Sequence, residues 1–340
     1  MGGERRELAI VIPAFKGMYL EKTLASIETQ TDKRFHVYIG DDASPDPIFD
    51  IVKASGLYPE QVFYKRFQTN LGKQNLASHW KRCIELSTEP WVWLFSDDDL
   101  MSPGCVASFY RALEETQSAY DVYRFNTIII DGQDRIIHLN PPHPKWEPWY
   151  QFAYFLFKNY RLGNQQELIF RRSRFNEIGG FEEFPLSWWS DIAFAIACGT
   201  KKGIYTIETE LIYMRNSGVN ISSKKGKDIY RLKLYAMAEF IAWVVGYIER
   251  NECGEFPGKQ ALRNLALEHF YWRLRTRHSW LSWRDVRRIY PTLQSRFHIP
   301  FREWLLRAIF YNVDFLLEGL VRRWRNRERF QAQQFSGEMQ

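Results

Sequence analysis

The sequence is poor in the features that mark several protein classes. Its 340 residues hold four cysteines (Cys83, Cys105, Cys198 and Cys253), and none forms a CxxC or CxxH pair. That spacing argues against a zinc site, and so few thiols build no disulfide framework, as expected in a reducing compartment. No apolar run is long enough to cross a bilayer; the longest, around Ala236 to Ile248, is interrupted by Glu239. The amino-terminal MGGERRELAIVIPAF turns apolar for only a strand's length, unlike a secretory signal. The expectation is a cytoplasmic protein, peripheral on the inner face of the cell membrane if it meets one. His36, His79, His138, His143, His269, His278 and His298 show no metal-ligand spacing. Internal repeats and low-complexity tracts are absent.

What is present is ordinary globular material, with 45% hydrophobic and 25% charged residues. Aromatic content is high at 16%. Such rings fill cores, stack on sugars or sit at membrane interfaces. The formal net charge of +6 is unevenly placed: Tyr271 to Phe330 holds 14 Arg, no Lys and 5 acidic residues. The basic character belongs to the tail, and charge-based partners are sought there.

The first hundred residues alternate strand and helix. Leu8 to Pro13 is a buried-strand run, Tyr19 to Gln30 has helical periodicity, and Phe35 to Gly40 is a second strand. Ile48 to Ala54 is helical, Val62 to Phe67 a third strand, Asn75 to Leu86 a helix and Trp91 to Phe95 a fourth strand. This alternation predicts a mostly parallel α/β sheet with flanking helices. Ligands of such sheets gather beyond the carboxyl ends of the strands. Three strands here end in Pro13-Ala14-Phe15, Asp41-Asp42 and Asp97-Asp98-Asp99, so polar residues converge on one edge. Further on, Asp121 to Ile130 and Arg135 to Leu139 read as strands around a turn at Asp131-Gly132, Asn140 to Trp149 as a loop, and Glu167 to Arg171 as a strand. Asp191 to Cys198 is helical, as is the chain after Lys227.

Adjacent aspartates repel and raise one another's pKa unless a cation is present. A hard divalent ion accepts one or two carboxylates and leaves positions open for phosphate oxygens. Two readings of the triplet stand, a solvated acidic turn ahead of a helix and a metal-holding strand end; the second Asp pair on a neighbouring strand favours the metal.

The ordered set Val11-Ile12-Pro13-Ala14-Phe15, Gly40-Asp41-Asp42-Ala43-Ser44, Asn70-Leu71-Gly72 and Ser96-Asp97-Asp98-Asp99 with Pro103 resembles glycosyltransferase family 2. Downstream, Ile178-Gly179-Gly180-Phe181 and Trp188-Trp189-Ser190-Asp191-Ile192 are also similar to that family, so the resemblance covers roughly residues 7 to 222. It implies an inverting enzyme with a GT-A (Rossmann-like) fold, of the type that builds bacterial polysaccharides. A catalytic domain would span 1–225, with its nucleotide-binding part about 1–105 and its acceptor-binding part about 106–225. A helical, Arg-rich region would fill 226–340.

By position, the resemblance places Pro13, Ala14 and Phe15 in the base pocket and gives Asp41 and Asp42 a contact with the base. Asn70, Gly72 and Lys73 would approach the nucleotide. The family pattern D-x-D-D has a proline four residues past its last Asp. Counting back from Pro103 puts Ser96 where the first Asp is expected, a departure from the pattern. Asp98 is then assigned to Mn²⁺ or Mg²⁺, Asp97 to the ribose or to the outer surroundings of the metal, and Asp99 stands as the third carboxylate, grouped with Asp98 at the metal. Asp191 stands where the family carries its catalytic base; taken alone it equally suits an N-cap carboxylate. Trp188 and Trp189 would stack on an acceptor sugar, or divide between core and surface. The polar segment from Tyr213 to Ser222, with Lys224, Lys225 and Lys227 beyond, reads as a mobile loop over the diphosphate with Arg215 as a phosphate ligand, or as an ordinary solvated loop. The QxxRW motif of processive members is missing, which argues against long-chain synthesis through a membrane channel.

The expected partners are a nucleotide-sugar donor, a UDP-sugar at the family level, and a saccharide or lipid-linked saccharide acceptor. Phe301, Trp304, Leu305, Ala308, Ile309, Val313, Leu316, Leu317, Leu320, Val321 and Trp324 fall at helical spacing with arginines beside them. That stripe suits a helix on an anionic membrane surface, or one docked on the catalytic domain. Two other functions compete. A nucleic-acid-binding protein using the Arg/Trp tail is opposed by the acidic strand ends and by the lack of a nucleic-acid module, so no nucleic-acid partner is expected. A sugar nucleotidyltransferase is opposed by Pro13-Ala14-Phe15-Lys16-Gly17, which is no Gly-rich basic phosphate loop.

Overall fold

The structure is a computed structural model that describes residues 6–218, 226–275 and 282–309. Its strands are β1 (Leu8–Ala14), β2 (Phe35–Asp41), β3 (Val62–Arg66), β4 (Trp91–Leu94), β5 (Leu100–Met101), β6 (Val122–Ile130), β7 (Ile136–Leu139), β8 (Trp146–Glu147), β9 (Leu168–Arg171) and β10 (Ile204–Arg215). The helices are α1 (Leu20–Glu28), α2 (Ile48–Ala54), α3 (Leu76–Ile84), α4 (Cys105–Glu115), α5 (Trp149–Phe157), α6 (Arg172–Ile178), α7 (Ser190–Cys198), α8 (Lys227–Arg250), α9 (Lys259–Arg275) and α10 (Trp283–Phe297). Residues 301–309 are also helical.

The strands form one mixed sheet in the order β3-β2-β1-β4-β9-β6-β10-β5. Its long ladders, β1 with β2, β2 with β3, β1 with β4 and β6 with β10, are parallel. The short β9 runs antiparallel to both β4 and β6. Parallel strands covered on both faces read as continuous apolar runs, which is why β1 and β4 lack polar alternation.

Successive residues still face opposite layers. Leu8, Ile10 and Ile12 of β1 join Trp91 and Trp93 of β4 in a core under α1, α2 and α4. Ala9 and Val11 join Val92 and Leu94 in a second core, which α3, α5 and α7 cover. Phe240, Ile241, Val244 and Val245 of α8, with Leu262 and Phe270 of α9, belong to that same second core. The longest apolar run is therefore a core helix, and among the described residues no helix is long and apolar enough to cross a membrane. Trp304 and Ala308 are buried in this core too, so the start of the terminal stripe docks on the protein. Its remainder, from Val313 to Trp324, lies outside the described residues.

Two expectations are corrected here. Tyr213 to Arg215 is the end of β10, not a loop, because β10 pairs with β6 through Arg215↔Ile130. The Asn140 to Trp149 segment contains β8, which pairs with β10. Lys224 and Lys225 lie outside the described residues.

Candidate active site

The acidic triplet fills the turn between β4 and β5 and is tied on both sides. The Phe95 N–H donates to the Val11 carbonyl at 2.8 Å, which carries the β1–β4 ladder to the edge of the turn. Asp97 Oδ2 then accepts from the backbone N–H groups of Phe15 (2.9 Å) and Lys16 (3.0 Å), drawing the end of β1 to the triplet. On the other side Asp99 Oδ1 accepts from the Arg215 N–H at 2.6 Å, and the Thr23 hydroxyl donates to the Asp99 carbonyl at 2.9 Å.

Arg215 is almost wholly buried and grips this turn. Its Nε donates to the Asp98 carbonyl at 2.7 Å and its Nη1 to the Asp131 carbonyl at 2.9 Å. The guanidinium pairs with Asp134, which also pairs with Lys22, and lies 4.4 Å from the Tyr19 ring centre. Sequence reasoning missed this role because Asp131 and Asp134 sit in the β6–β7 hairpin turn, more than eighty residues away.

Burial raises all three carboxylates of the triplet. Asp98 is pushed up to about 7, first by desolvation and then by the charge of Asp97. A cleft of about 250 Å³ opens beside it, lined by Ser96, Asp98, Asp99, Ile129, Asn164, Gln166, Met214, Arg215 and Asn216. A buried carboxylate at this edge, held partly protonated by desolvation and by Asp97 despite the charges of Lys16 and Arg215, fits a divalent cation. Asp99 fits less fully, since one oxygen is already engaged by the Arg215 N–H. Among the described residues no three His, Cys, Asp or Glu side chains converge as a cage. A cation here would be held by one or two carboxylates, with substrate oxygens filling its other positions.

The other strand ends are knitted together by Asp41 and Asp42. Asp41 is fully buried; it accepts from the Ser44 N–H (2.8 Å), the Tyr64 hydroxyl (2.5 Å) and Arg66 Nη1 (2.7 Å). Asp42 accepts from the N–H groups of Leu71 and Gly72, both at 2.8 Å, and pairs with Arg82. Neither carboxylate is open to a base; both shape the surrounding turns. A Cβ on Gly72 would lie 2.7 Å from Asp42 Oδ2, so only glycine fits that approach. Asn70 Oδ1 accepts from the Lys73 N–H at 2.8 Å and closes the same turn, while the Lys73 side chain is exposed. Ala14 is buried, Pro13 partly buried, and Phe15 is 38% exposed, which leaves its ring available for stacking.

Asp191 is in the first turn of α7 and is not its cap. Trp189 holds the N-cap position in left-handed backbone (φ 77°), and Asp191 Oδ1 accepts from the adjacent Ile192 N–H at 2.9 Å. Burial pushes Asp191 up to about 6. Trp189 stacks on Phe240 of α8 at 5.0 Å and an interplanar angle of 10°, with Arg273 5.3 Å from its ring centre. Lys233 lies 4.3 Å from the Trp188 ring centre. One face of Trp189 is therefore core, and both rings remain only partly buried.

Sequence reasoning also missed the segment Asn164-Gln165-Gln166-Glu167. Its Gln165–Glu167 part is a 3-10 turn leading into β9 and packed on α7. Glu167 is buried and pushed up to about 8, mainly by desolvation and in part by the charge of Asp191. Behind it Glu147 pairs with Arg124 and with Arg161 Nη2 (2.8 Å), and His143 Nε2 is 3.9 Å from Glu167 Oε1. β9 is antiparallel to β4, so its start, rather than its end, reaches the ligand edge. A polar run before a strand was the available signal.

The profile of Glycosyl transferase family 2 matches residues 9–176. No curated protein matches the sequence significantly. Among solved structures, S. aureus TarS 1-349 in complex with UDP-GlcNAc superposes with a TM-score of 0.63 at 15% identity, covering 91% of this chain and 89% of that one. The same TarS fragment in complex with UDP gives a TM-score of 0.54 at 15% identity, covering 93% and 91%. TarS itself gives 0.60 at 14% identity, with 91% of this chain matched to 54% of that one. The GT-A fold, the ordered strand-end motifs and the profile match agree: residues 9–176 carry a Glycosyl transferase family 2 domain, and the chain is a glycosyltransferase.

Proposed function

We propose that this enzyme moves a sugar from a nucleoside-diphosphate sugar, with uridine as the base, to an acceptor hydroxyl with inversion. The acceptor is a glycan or a lipid-linked saccharide. The observation that carries the reading is the buried Asp98 carboxylate, open to a cleft at the ligand edge of the sheet. The complexes of TarS with UDP-GlcNAc and UDP support the choice of donor.

In this reading Phe15, with Pro13 and Ala14, flanks the base, and the Asn70 to Lys73 turn borders the nucleotide. Asp97 reaches the ribose region while fixing the end of β1. Asp98, assisted by Asp99, would hold Mn²⁺ or Mg²⁺, and such an ion would neutralise charge on the departing diphosphate. Arg215 keeps the Asp98 backbone in place. The acceptor hydroxyl oxygen attacks the anomeric carbon as the bond to the diphosphate oxygen breaks. The hydroxyl proton passes to Asp191, whose carboxylate is more basic than usual yet still ionised at neutral pH. Trp188 and Trp189 border the acceptor with the parts of their rings that remain exposed.

The test is Asp191→Asn assayed with a UDP-sugar donor. Donor binding should persist in calorimetry while transfer falls by roughly 10²–10⁴; full transfer would refute the base assignment.

A second surface supports membrane attachment. Trp283 (58% exposed), Leu306 (58%) and Ile309 (50%) lie among the exposed Arg284, Arg287, Arg302 and Arg307. Anionic vesicles should bind the chain in a salt-sensitive way, and neutral vesicles should not. Equal binding to both would remove membrane charge from the account.

A further inference from the structure

A row of four aromatic rings lies on the surface outside the cleft. Tyr154 and Phe155, near the end of α5, are half-buried, whereas Tyr160 is 61% and Phe256 54% exposed. Ring centres are 5.0 Å apart from Phe256 to Tyr154, 5.2 Å from Tyr154 to Phe155 and 5.9 Å from Phe155 to Tyr160. Among the described residues, ring contacts within the set join consecutive members only, so the rings form a row and not a cluster. An open apolar surface of this kind marks a place of contact with another molecule.

The row is held from beneath and tied to the site at one end. α5 gives way to Asn159 in left-handed backbone (φ 54°), and the Tyr160 N–H turns back to donate to the Phe155 carbonyl at 3.0 Å. Arg161 is buried; its guanidinium lies 4.3 Å from the Phe155 ring centre and pairs with Glu147 at 2.8 Å. At the far end Gly254 packs on Tyr150 of α5, where a Cβ would lie 2.6 Å from the tyrosine oxygen, and this brings the Phe256 loop onto the helix. At the near end the chain runs from Tyr160 through the exposed Leu162 to Gly163. Gly163 is wedged between Phe152 and Ile192, a Cβ there lying 2.8 Å from an atom of each. Ile192 follows Asp191, and Asn164 lines the cleft beside Asp98. The row therefore begins a few residues outside the cleft, on the side of the proposed base.

A linear saccharide presents one C–H face per sugar, at a repeat close to the spacing of these rings, with hydroxyls between. Aromatic faces take up such surfaces, and tyrosine hydroxyls meet the polar edges. We propose that the row Phe256, Tyr154, Phe155 and Tyr160 holds the non-reacting part of a linear, neutral saccharide acceptor, so that long acceptors are favoured over short ones. The inference rests on the glycosyltransfer reading above and adds a length of acceptor contact outside the Trp188 and Trp189 pair. Charge favours this occupant over a membrane. Glu255 adjoins Phe256, and Lys158 is 6.0 Å from the Tyr154 ring centre, so the two offset one another. That balance suits an uncharged chain, whereas anionic lipid calls for the arginines found between 284 and 307. Binding gained here, away from the reacting hydroxyl, serves to hold and orient that hydroxyl.

Calorimetry on the full chain with Mn²⁺ and UDP tests it, with maltose, cellobiose and chitobiose set against their hexasaccharides. Wild type should bind at least one hexasaccharide about tenfold more tightly than its disaccharide. Tyr160→Ala and Phe256→Ala should each weaken that hexasaccharide about tenfold and leave UDP unchanged, whereas Tyr160→Phe, which keeps the ring, should retain it. Unchanged UDP binding shows that each variant is folded. Wild-type hexasaccharide affinity in both alanine variants would overturn the row as a saccharide site. So would a loss in those variants of binding to anionic vesicles, or of self-association in sedimentation, which would assign the rings to lipid or to a second copy. Wild type that binds UDP but no hexasaccharide would overturn the row alone. Wild type that binds neither would overturn the uridine-donor reading as well.

Discussion

Asp191 and Asp98 are both aspartates lifted by burial, and the consequences differ. Asp191 must be ionised to take a proton, and its pKa stands at about 6. Below that value the rate should fall about tenfold per pH unit as the carboxylate protonates, and it should level off above it. A pH profile of kcat/KM that stays flat from pH 5 to 8 would contradict this. Asp98 is costly to ionise in the metal-free protein, because it is buried beside Asp97. The unfolded chain ionises it near its ordinary pKa and the folded chain only near 7, so metal-free stability falls as pH rises from about 4 to 7. Asp98→Asn should therefore stabilise the metal-free protein at pH 8 by on the order of 2 kcal/mol, read as a higher Tm, while abolishing Mn²⁺-dependent donor binding. A lower Tm in that variant would count against the buried-charge account. The residues themselves were legible where charge was packed into a few positions, as in Asp97-Asp98-Asp99. Glu167 was not legible, because its raised pKa comes first from burial and then from the charge of Asp191, both of which only the fold supplies.

At the scale of elements, the site is built from strand ends joined by turns. β1, β2 and β4 were readable because buried parallel strands leave long apolar runs with polar stops. β9 was found as a strand, but its direction was not, and direction decides which end meets the ligand. Arg215 was read as part of a loop, since the polar Asn216-Ser217-Gly218 conceals a strand whose partner β6 lies some eighty residues earlier. The pairing makes a sharp prediction. Arg215→Lys keeps the charge but cannot span the Asp98 and Asp131 carbonyls together with Asp134. Stability should drop by about 2–3 kcal/mol, read as a lower Tm even without substrate. A variant with wild-type Tm and impaired donor binding would instead make Arg215 a phosphate ligand. Gly72→Ala should disturb the Asp42 turn, costing roughly 1–3 kcal/mol and weakening UDP binding in calorimetry.

At the scale of the whole molecule, a boundary near residue 225 follows the change in sequence pattern but not the packing. Phe240 of α8 stacks on Trp189 and shares a core with Phe157 of α5 and Phe184. A fragment of residues 1–225 would leave that surface bare. It should express as aggregate or bind a hydrophobic dye strongly, whereas the full chain should not. A monomeric, cooperatively melting fragment would show that the helices are dispensable to the fold. Hydropathy alone could not decide between core, membrane and docking for these helices, since all three use an apolar stripe. Burial of Trp304 and Ala308 settles only the first turns of the last stripe.

The ribbon of β6 and β7 has one more consequence. All four residues of β7 are exposed, and the turn that joins it to β6 holds Arg215 through Asp131 and Asp134. An antibody fragment clasping that bare outer strand would tug, through one guanidinium, on the floor of the cleft some distance inside. Such a fragment should lower transfer while leaving the donor's seat unblocked; transfer that is unchanged when it binds would exclude that coupling.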